Sequence, residues 1–119
     1  MDLGGTNLRL LLADTNGTPI ARKKGSIQAG STPQKIVATT KLLLQDLFEE
    51  ANLSFEQLGM LGGGIPGITN CRTGVIRSAP FLSEWKDVPF RTLLEEELNV
   101  PVFLENDANL AAYGEAQAG

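Results

Sequence analysis

The 119 residues include no histidine, one cysteine, one tryptophan and one tyrosine. Without histidine, the chain has no Ser-His or Cys-His nucleophile pair and lacks the commonest zinc ligand. A single cysteine, Cys71, excludes an internal disulfide and fits a reducing compartment. With no histidine to activate it, Cys71 reads as a small buried or loop residue and not as a nucleophile. Long apolar runs are also missing: none reaches the roughly 18 residues of a membrane span, and no charged segment precedes an apolar one at the start. The expected location is therefore the cytoplasm. Positive charge is scarce, with ten Lys and Arg against fourteen Asp and Glu and a formal net charge of −4. The only basic run is Arg22-Lys23-Lys24, so nucleic-acid backbone is not an expected partner. Any catalysis falls to carboxylates.

What is present is ordinary globular usage, 42% hydrophobic and 20% charged, which excludes disordered and fibrous classes. A chain of this length makes one domain and can bury roughly two-thirds of its unfolded surface.

The most informative stretch is Asp2-Leu3-Gly4-Gly5-Thr6-Asn7-Leu8-Arg9. Two glycines followed by a hydroxyl, an amide and a guanidinium can form a tight turn whose donors converge on a phosphate. It is neither the G-x-x-x-x-G-K-[ST] loop nor the G-x-G-x-x-G fingerprint, and a strand, not a helix, follows it. The plainer reading is a hairpin turn at Gly4-Gly5, with Asp2 and Thr6 as its hydrogen-bonding residues. Both readings stand on these residues alone.

Along the chain, residues 8–14 read as a strand whose continuous apolar run implies burial on both faces. Asn16-Gly17 is a strong hairpin signal, and residues 19–27 return antiparallel. Ser31-Thr32-Pro33 starts a helix, and Ile36, Val37, Thr40, Leu43, Leu44, Leu47, Phe48 and Ala51 form its inner stripe. Asn52 ends it, and Ser54 with Gln57 makes a capping box for a brief turn. Residues 58–67 begin as a buried strand and dissolve into glycines, where another backbone or a ligand comes close or where a flexible turn sits. Residues 69–74 form a turn, 75–79 a short strand and 81–85 a loop. Asp87 is placed to cap a helix from Val88, with Pro89 in its first turn and Phe90, Leu93, Leu94 and Leu98 inside; Asn99 stops it. Residues 101–104 form a buried strand running into Glu105-Asn106-Asp107, and 108–118 an alanine-rich helix.

The order is β-β-β-α-β-α-β-α, an α/β layer opened by three antiparallel strands of which the first is a stub. In such a sheet, binding groups gather beyond the carboxyl ends of parallel strands. If the later strands run parallel to the first, Gly4-Gly5-Thr6, Gly64-Ile65-Pro66-Gly67 and Asn106-Asp107 share one rim. A phosphate cradle, a glycine-walled slot and a carboxylate there suit phosphoryl transfer to a hydroxyl, with Asp107 taking the hydroxyl proton and Asn106 orienting neighbouring hydroxyls. Asn106 or Asp107 as a simple helix cap is the alternative.

With these residues in view the chain resembles the bacterial sugar kinases of the ROK family (repressors, open reading frames, kinases), particularly its glucokinases. Asp2-Leu3-Gly4-Gly5-Thr6-Asn7 is similar to the first phosphate motif of the actin-like ATPase superfamily, also shared by hexokinases. Gly64-Ile65-Pro66-Gly67, Gly74-Val75-Ile76, Ala79-Pro80, Trp85 and Pro89 follow the family's sugar-side loop and its sequel. Glu105-Asn106-Asp107-Ala108-Asn109, with Ala111-Ala112 and Gly114-Glu115, is the most specific stretch.

The resemblance implies a ribonuclease H-like (actin-like ATPase) fold, a mixed sheet whose parallel strands follow the antiparallel opening. It also implies ATP-dependent phosphorylation of a hexose, with Asp107 as base toward the primary hydroxyl and Asn106 on the ring hydroxyls. Gly64, Ile65, Pro66 and Gly67 would line the sugar slot, and Gly4, Gly5, Thr6 and Asn7 would face the ATP phosphates with Asp2 near Mg²⁺. The implied partners are a small sugar and ATP, with neither nucleic acid nor membrane; a homodimer is compatible.

Three departures stand out. The family's first strand usually begins several residues upstream of Asp2, and Phe81 stands where the family usually has asparagine. The second lobe, with its phosphate and adenosine sites, further sugar contacts and a zinc motif, has no counterpart among these residues. Residues 1–119 are thus expected to be an N-terminal lobe, with little or no turnover alone. The alternatives are a fragment of a sugar-sensing ROK repressor, or a non-catalytic actin-fold module working through protein contacts.

Overall fold

The computed structural model describes residues 1–4, 7–28, 30–65, 68–70, 72–78 and 85–106. Strands β1 (Asp2–Leu3), β2 (Asn7–Ala13) and β3 (Pro19–Ser26) form the opening antiparallel meander. Helix α1 (Pro33–Glu50) and a single 3₁₀ turn at Phe55–Gln57 lead to β4 (Leu61–Ile65). Strands β5 (Ile68–Asn70), β6 (Val75–Ser78) and β7 (Lys86–Val88) precede helix α2 (Phe90–Leu98) and β8 (Val102–Asn106).

Five strands make the main sheet in the order β3-β2-β1-β4-β8, with β4 parallel to both β1 and β8. This is the mixed sheet expected of the α/β layer, and β1 is the expected stub of two residues.

Local chemistry sets the boundaries. Asp14 accepts at Oδ1 from the N–H groups of Asn16 and Thr18, and Gly17 takes the left-handed φ of +83° that the β2–β3 turn requires. Thr32 caps α1 by accepting from the N–H of Lys35 at 3.2 Å, with Pro33 where a missing N–H costs nothing. Ser54 and Gln57 form the full capping box, and Asn99 ends α2 in the left-handed region at φ 58°.

Leu3, Leu8, Leu10, Leu61, Ile65, Val102 and Leu104 meet Ile36, Val37, Leu44, Leu47, Leu94 and Leu98 in one core. Inside α1, the Thr40 hydroxyl is satisfied by donating to the carbonyl of Ile36 at 2.7 Å.

Three expectations need correction. The apolar runs at 8–14 and 101–104 are buried on one face only, leaving Leu11 50% and Phe103 58% exposed, because the described helices cover one side of the sheet. Asp87 does not cap α2. It lies in β7 at φ 51°, where the pairing of Ile76 with Val88 buries both, and α2 begins at Phe90 without a side-chain cap. Finally, the strand near 75 is not alone: β5, β6 and β7 form a second, three-stranded antiparallel sheet. Trp85 seals its base, with its indole N–H donating to the carbonyl of Ser31 at 2.9 Å and its ring 5.0 Å from that of Phe90. The expectations on Cys71, on Phe81 and on a helix over 108–118 lie outside the described residues.

Candidate functional site

Parallel pairing decides which residues share an edge. Asp2 is opposite Gly64, Gly64 opposite Glu105 and Ile65 opposite Asn106. Strands β1, β4 and β8 therefore end side by side, at Leu3, Ile65 and Asn106. Gly4, Gly64, Ile65 and Asn106 lie along this common rim, as the parallel arrangement requires. Gly5, Thr6, Pro66, Gly67 and Asp107 lie outside the described residues; Asp107 is the residue that follows the last one of β8.

The described residues at the front of the chain pair as a hairpin, while Gly5 and Thr6 lie outside the described residues. Gly4 donates its N–H to the carbonyl of Asn7 at 2.8 Å, closing a hairpin between β1 and β2. That bond occupies the Gly4 amide, so an anion at this turn would be met by other donors. An added Cβ at Gly4 would meet only Asn7 O, at 3.5 Å, and one at Gly62 would meet nothing within 4 Å. Neither glycine is demanded by its described neighbours, and both keep the backbone bare.

Register also builds a row of charge that composition does not reveal. On the face away from the helices, Lys24, Arg9, Asp2, Gly64 and Glu105 stand in line across all five strands. The antiparallel pairing of β1 with β2 sets Asp2 opposite Arg9; the rest of the row depends on which other strands become neighbours. An open groove of about 640 Å³ on this side is lined by Met1, Asp2, Arg9, Leu11, Arg22 and Lys24, among others.

The Met1 ammonium donates to the carbonyl of Gly62 at 2.9 Å, and the Met1 carbonyl accepts from the N–H of Gly64 at 2.9 Å. Burial lowers the pKa of this ammonium, with the Asp2 carboxylate opposing the shift. Lys23, on the other face, is raised by its hydrogen bond to Glu50 at 2.6 Å.

Among the described residues, no three or more His, Cys, Asp or Glu side chains gather as a metal cluster. No described helix is long and apolar enough to cross a membrane.

Comparison with known proteins places this geometry in context. The family described as ROK matches residues 1–119. A glucokinase from Halalkalibacterium halodurans is 32% identical over 121 residues, covering 100% of this chain and 36% of the relative. A xylose repressor from Bacillus spizizenii is 31% identical over 123 residues, covering 100% of this chain and 30% of the relative. A ROK family glucokinase from Streptomyces griseus, solved with glucose and AMPPNP, superposes with a TM-score of 0.79 at 25% identity. That match covers 96% of this chain and 34% of the other. The chain thus spans about a third of the length of these relatives.

Proposed function

The chain belongs to the ROK family, and from that premise we propose that residues 1–119 form the N-terminal lobe of an ATP-dependent hexose kinase of glucokinase type. The observation that carries this reading is the shared rim: Leu3, Ile65 and Asn106 end three adjacent strands, with Gly4 and Asp107 next in the chain after the first and the last. Phosphate oxygens would meet donors from residues 5–7 and the guanidinium of Arg9, which is opposite Asp2 in register. Magnesium favours one or two carboxylates together with phosphate oxygens and water. Asp2, opposite Gly64 in the register, would supply one such carboxylate. When bound, ATP with magnesium would supply the phosphoryl group and the charge neutralisation that its transfer needs.

On the sugar side, Asn106 would hydrogen-bond ring hydroxyls, residues 64–67 would wall the slot and Asp107 would accept the proton of the attacking hydroxyl. A carboxylate is a weak base, but a loose phosphoryl-transfer transition state asks little of it. Which hexose is taken depends on contacts that a second lobe would share. The lobe alone is expected to turn over little or no sugar.

In the two-lobe protein, Asp107→Asn should lower turnover by on the order of 10²-fold or more while leaving glucose affinity within about threefold. A coupled ATP–glucose assay gives the first and calorimetry the second; turnover near that of the parent refutes the base.

A second reading has its own support, since xylose repressors stand beside glucokinases among the relatives. A sugar-responsive repressor would use Asn106 and the glycine-walled slot to sense sugar and would need no proton acceptor at 107. Sugar-dependent DNA binding without turnover in the full protein would establish that reading over the kinase.

A further inference from the structure

Away from the rim, one pair of side chains joins two segments that are distant in the chain. Arg91 lies in the first turn of α2. Its backbone N–H donates to the carbonyl of Gly74 at 3.2 Å, and its guanidinium Nη1 donates to the carbonyl of Arg72 at 3.0 Å. Arg91 Nε sits 3.6 Å from Oε1 of Glu95, one helical turn along. The other oxygen of that carboxylate, Oε2, accepts from the N–H of Val102 at 3.3 Å. An unbroken polar path therefore runs from the β5–β6 turn, through Arg91 and Glu95, to the first residue of β8.

The turn is shaped to receive this contact. Asn70 Oδ1 accepts from the N–H groups of Arg72 and Thr73, and the Gly74 N–H donates to the Asn70 carbonyl at 2.7 Å. Gly74 has φ +72°, and a Cβ there would stand 2.2 Å from Cβ of Arg91, so only glycine lets the helix come this close. The other main-chain partner matters too: Val102 opens the strand that ends in Glu105-Asn106.

Both segments adjoin the proposed sugar slot. The β5–β6 hairpin begins at Ile68, three positions along the chain from Ile65 at the end of β4, and β5 lies against β8. Arg91 and Glu95 are 29% and 40% exposed, so as an ion pair they add little; their geometry gives them a role, because two backbone groups on separate segments depend on one pair.

We propose that Arg91 and Glu95 are positioning residues that make the β5–β6 hairpin and strand β8 move as one unit, holding the end of β8 in place for sugar binding. The link to sugar rests on the kinase-lobe reading; the mechanical coupling does not.

Amide hydrogen exchange on the 119-residue chain tests the coupling directly. In Arg91→Ala, exchange at Gly74 and Val102 should rise together by more than tenfold, while amides of β2 and α1 keep their protection. Arg91→Lys should restore protection at Val102, since a lysine can still pair with Glu95, but leave Gly74 fast; it carries the test if the alanine variant does not fold. A uniform rise across all elements, or no change at Val102, overturns the proposal. In the two-lobe protein, Glu95→Ala should weaken glucose binding about fivefold or more and leave AMPPNP binding unchanged, both read by calorimetry. Equal weakening of the two ligands, or of neither, overturns the positioning role. If the parent protein binds no glucose, the sugar-slot reading falls, and the exchange experiment alone decides the coupling.

Discussion

The two faces of the main sheet are built from alternate residues of the same strands, yet they differ in kind. Toward α1 and α2, Leu3, Leu8, Leu10, Ile65 and Leu104 are all at most 3% exposed. Away from them, Asp2, Arg9, Arg22 and Lys24 share the surface with Leu11 and Phe103. One face carries the stability of the fold. The other carries the charged row, one residue short of the ends of β1, β4 and β8. A sheet can divide its labour in this way because a period of two separates neighbouring side chains completely.

The largest test of that division is a matched pair of truncations. Leu8→Ala, at a site with no exposure, should cost about 2–5 kcal/mol in urea unfolding, whereas Leu11→Ala should stay within about 0.5 kcal/mol. A comparable loss at Leu11 would mean that the open face is covered in solution, and the contrast would disappear.

A smaller effect comes from two neighbouring glycines of β4 on opposite faces. A Cβ at Gly63 would lie 3.2–3.4 Å from atoms of Met1, whereas one at Gly62 has nothing within 4 Å. Gly63→Ala should therefore destabilise by about 1 kcal/mol, and Gly62→Ala should stabilise by about 0.5 kcal/mol through the unfolded chain. Thermal melting of both variants gives the sign, and identical shifts would break the comparison.

The smallest effect sharpens the comparison at the edge where the faces meet. The Met1 ammonium is desolvated against β4, so the folded chain binds its proton more weakly than the unfolded chain. Between the lowered folded value and the ordinary α-amino value, the unfolded state carries more protons, and stability should rise with pH. Below that window the penalty is constant. Acetylating Met1 leaves an N–H for the Gly62 carbonyl and should flatten the slope in pH-dependent urea unfolding; a slope that persists would have another source.

Much of this was legible in the sequence wherever the cause was local. Thr32, Ser54 with Gln57, Gly17 and Asn99 each act within a few residues of themselves, and each boundary fell where its cap or turn chemistry put it. The shared rim was expected on the condition that the later strands run parallel to the first, and the pairing of β1, β4 and β8 meets that condition for Gly64, Ile65 and Asn106. What remained hidden depended on partners far along the chain. An unbroken apolar run such as Leu10-Leu11-Leu12 does not say which face a helix will cover. Strands of three residues, such as β5 and β7, are too short to display a period. Arg91 and Glu95 could be read as an i,i+4 pair, but nothing local links them to Arg72 and Val102. Asp107, on which the proposed chemistry turns, lies just past the last described residue of β8.

Strand β4 has glycine at all three of its central positions, so its seating between β1 and β8 is written only at its ends, by Leu61 and Ile65. Those two anchors, four residues apart, work like the margins of a ruled page: everything between them is placed by counting. Losing one glycine would turn Ile65 from the helices to the opposite side and pull the rim back by roughly 3.3 Å, the rise of a single strand residue. The bareness that leaves space at the rim thus makes the number of glycines, and not only their presence, part of the design.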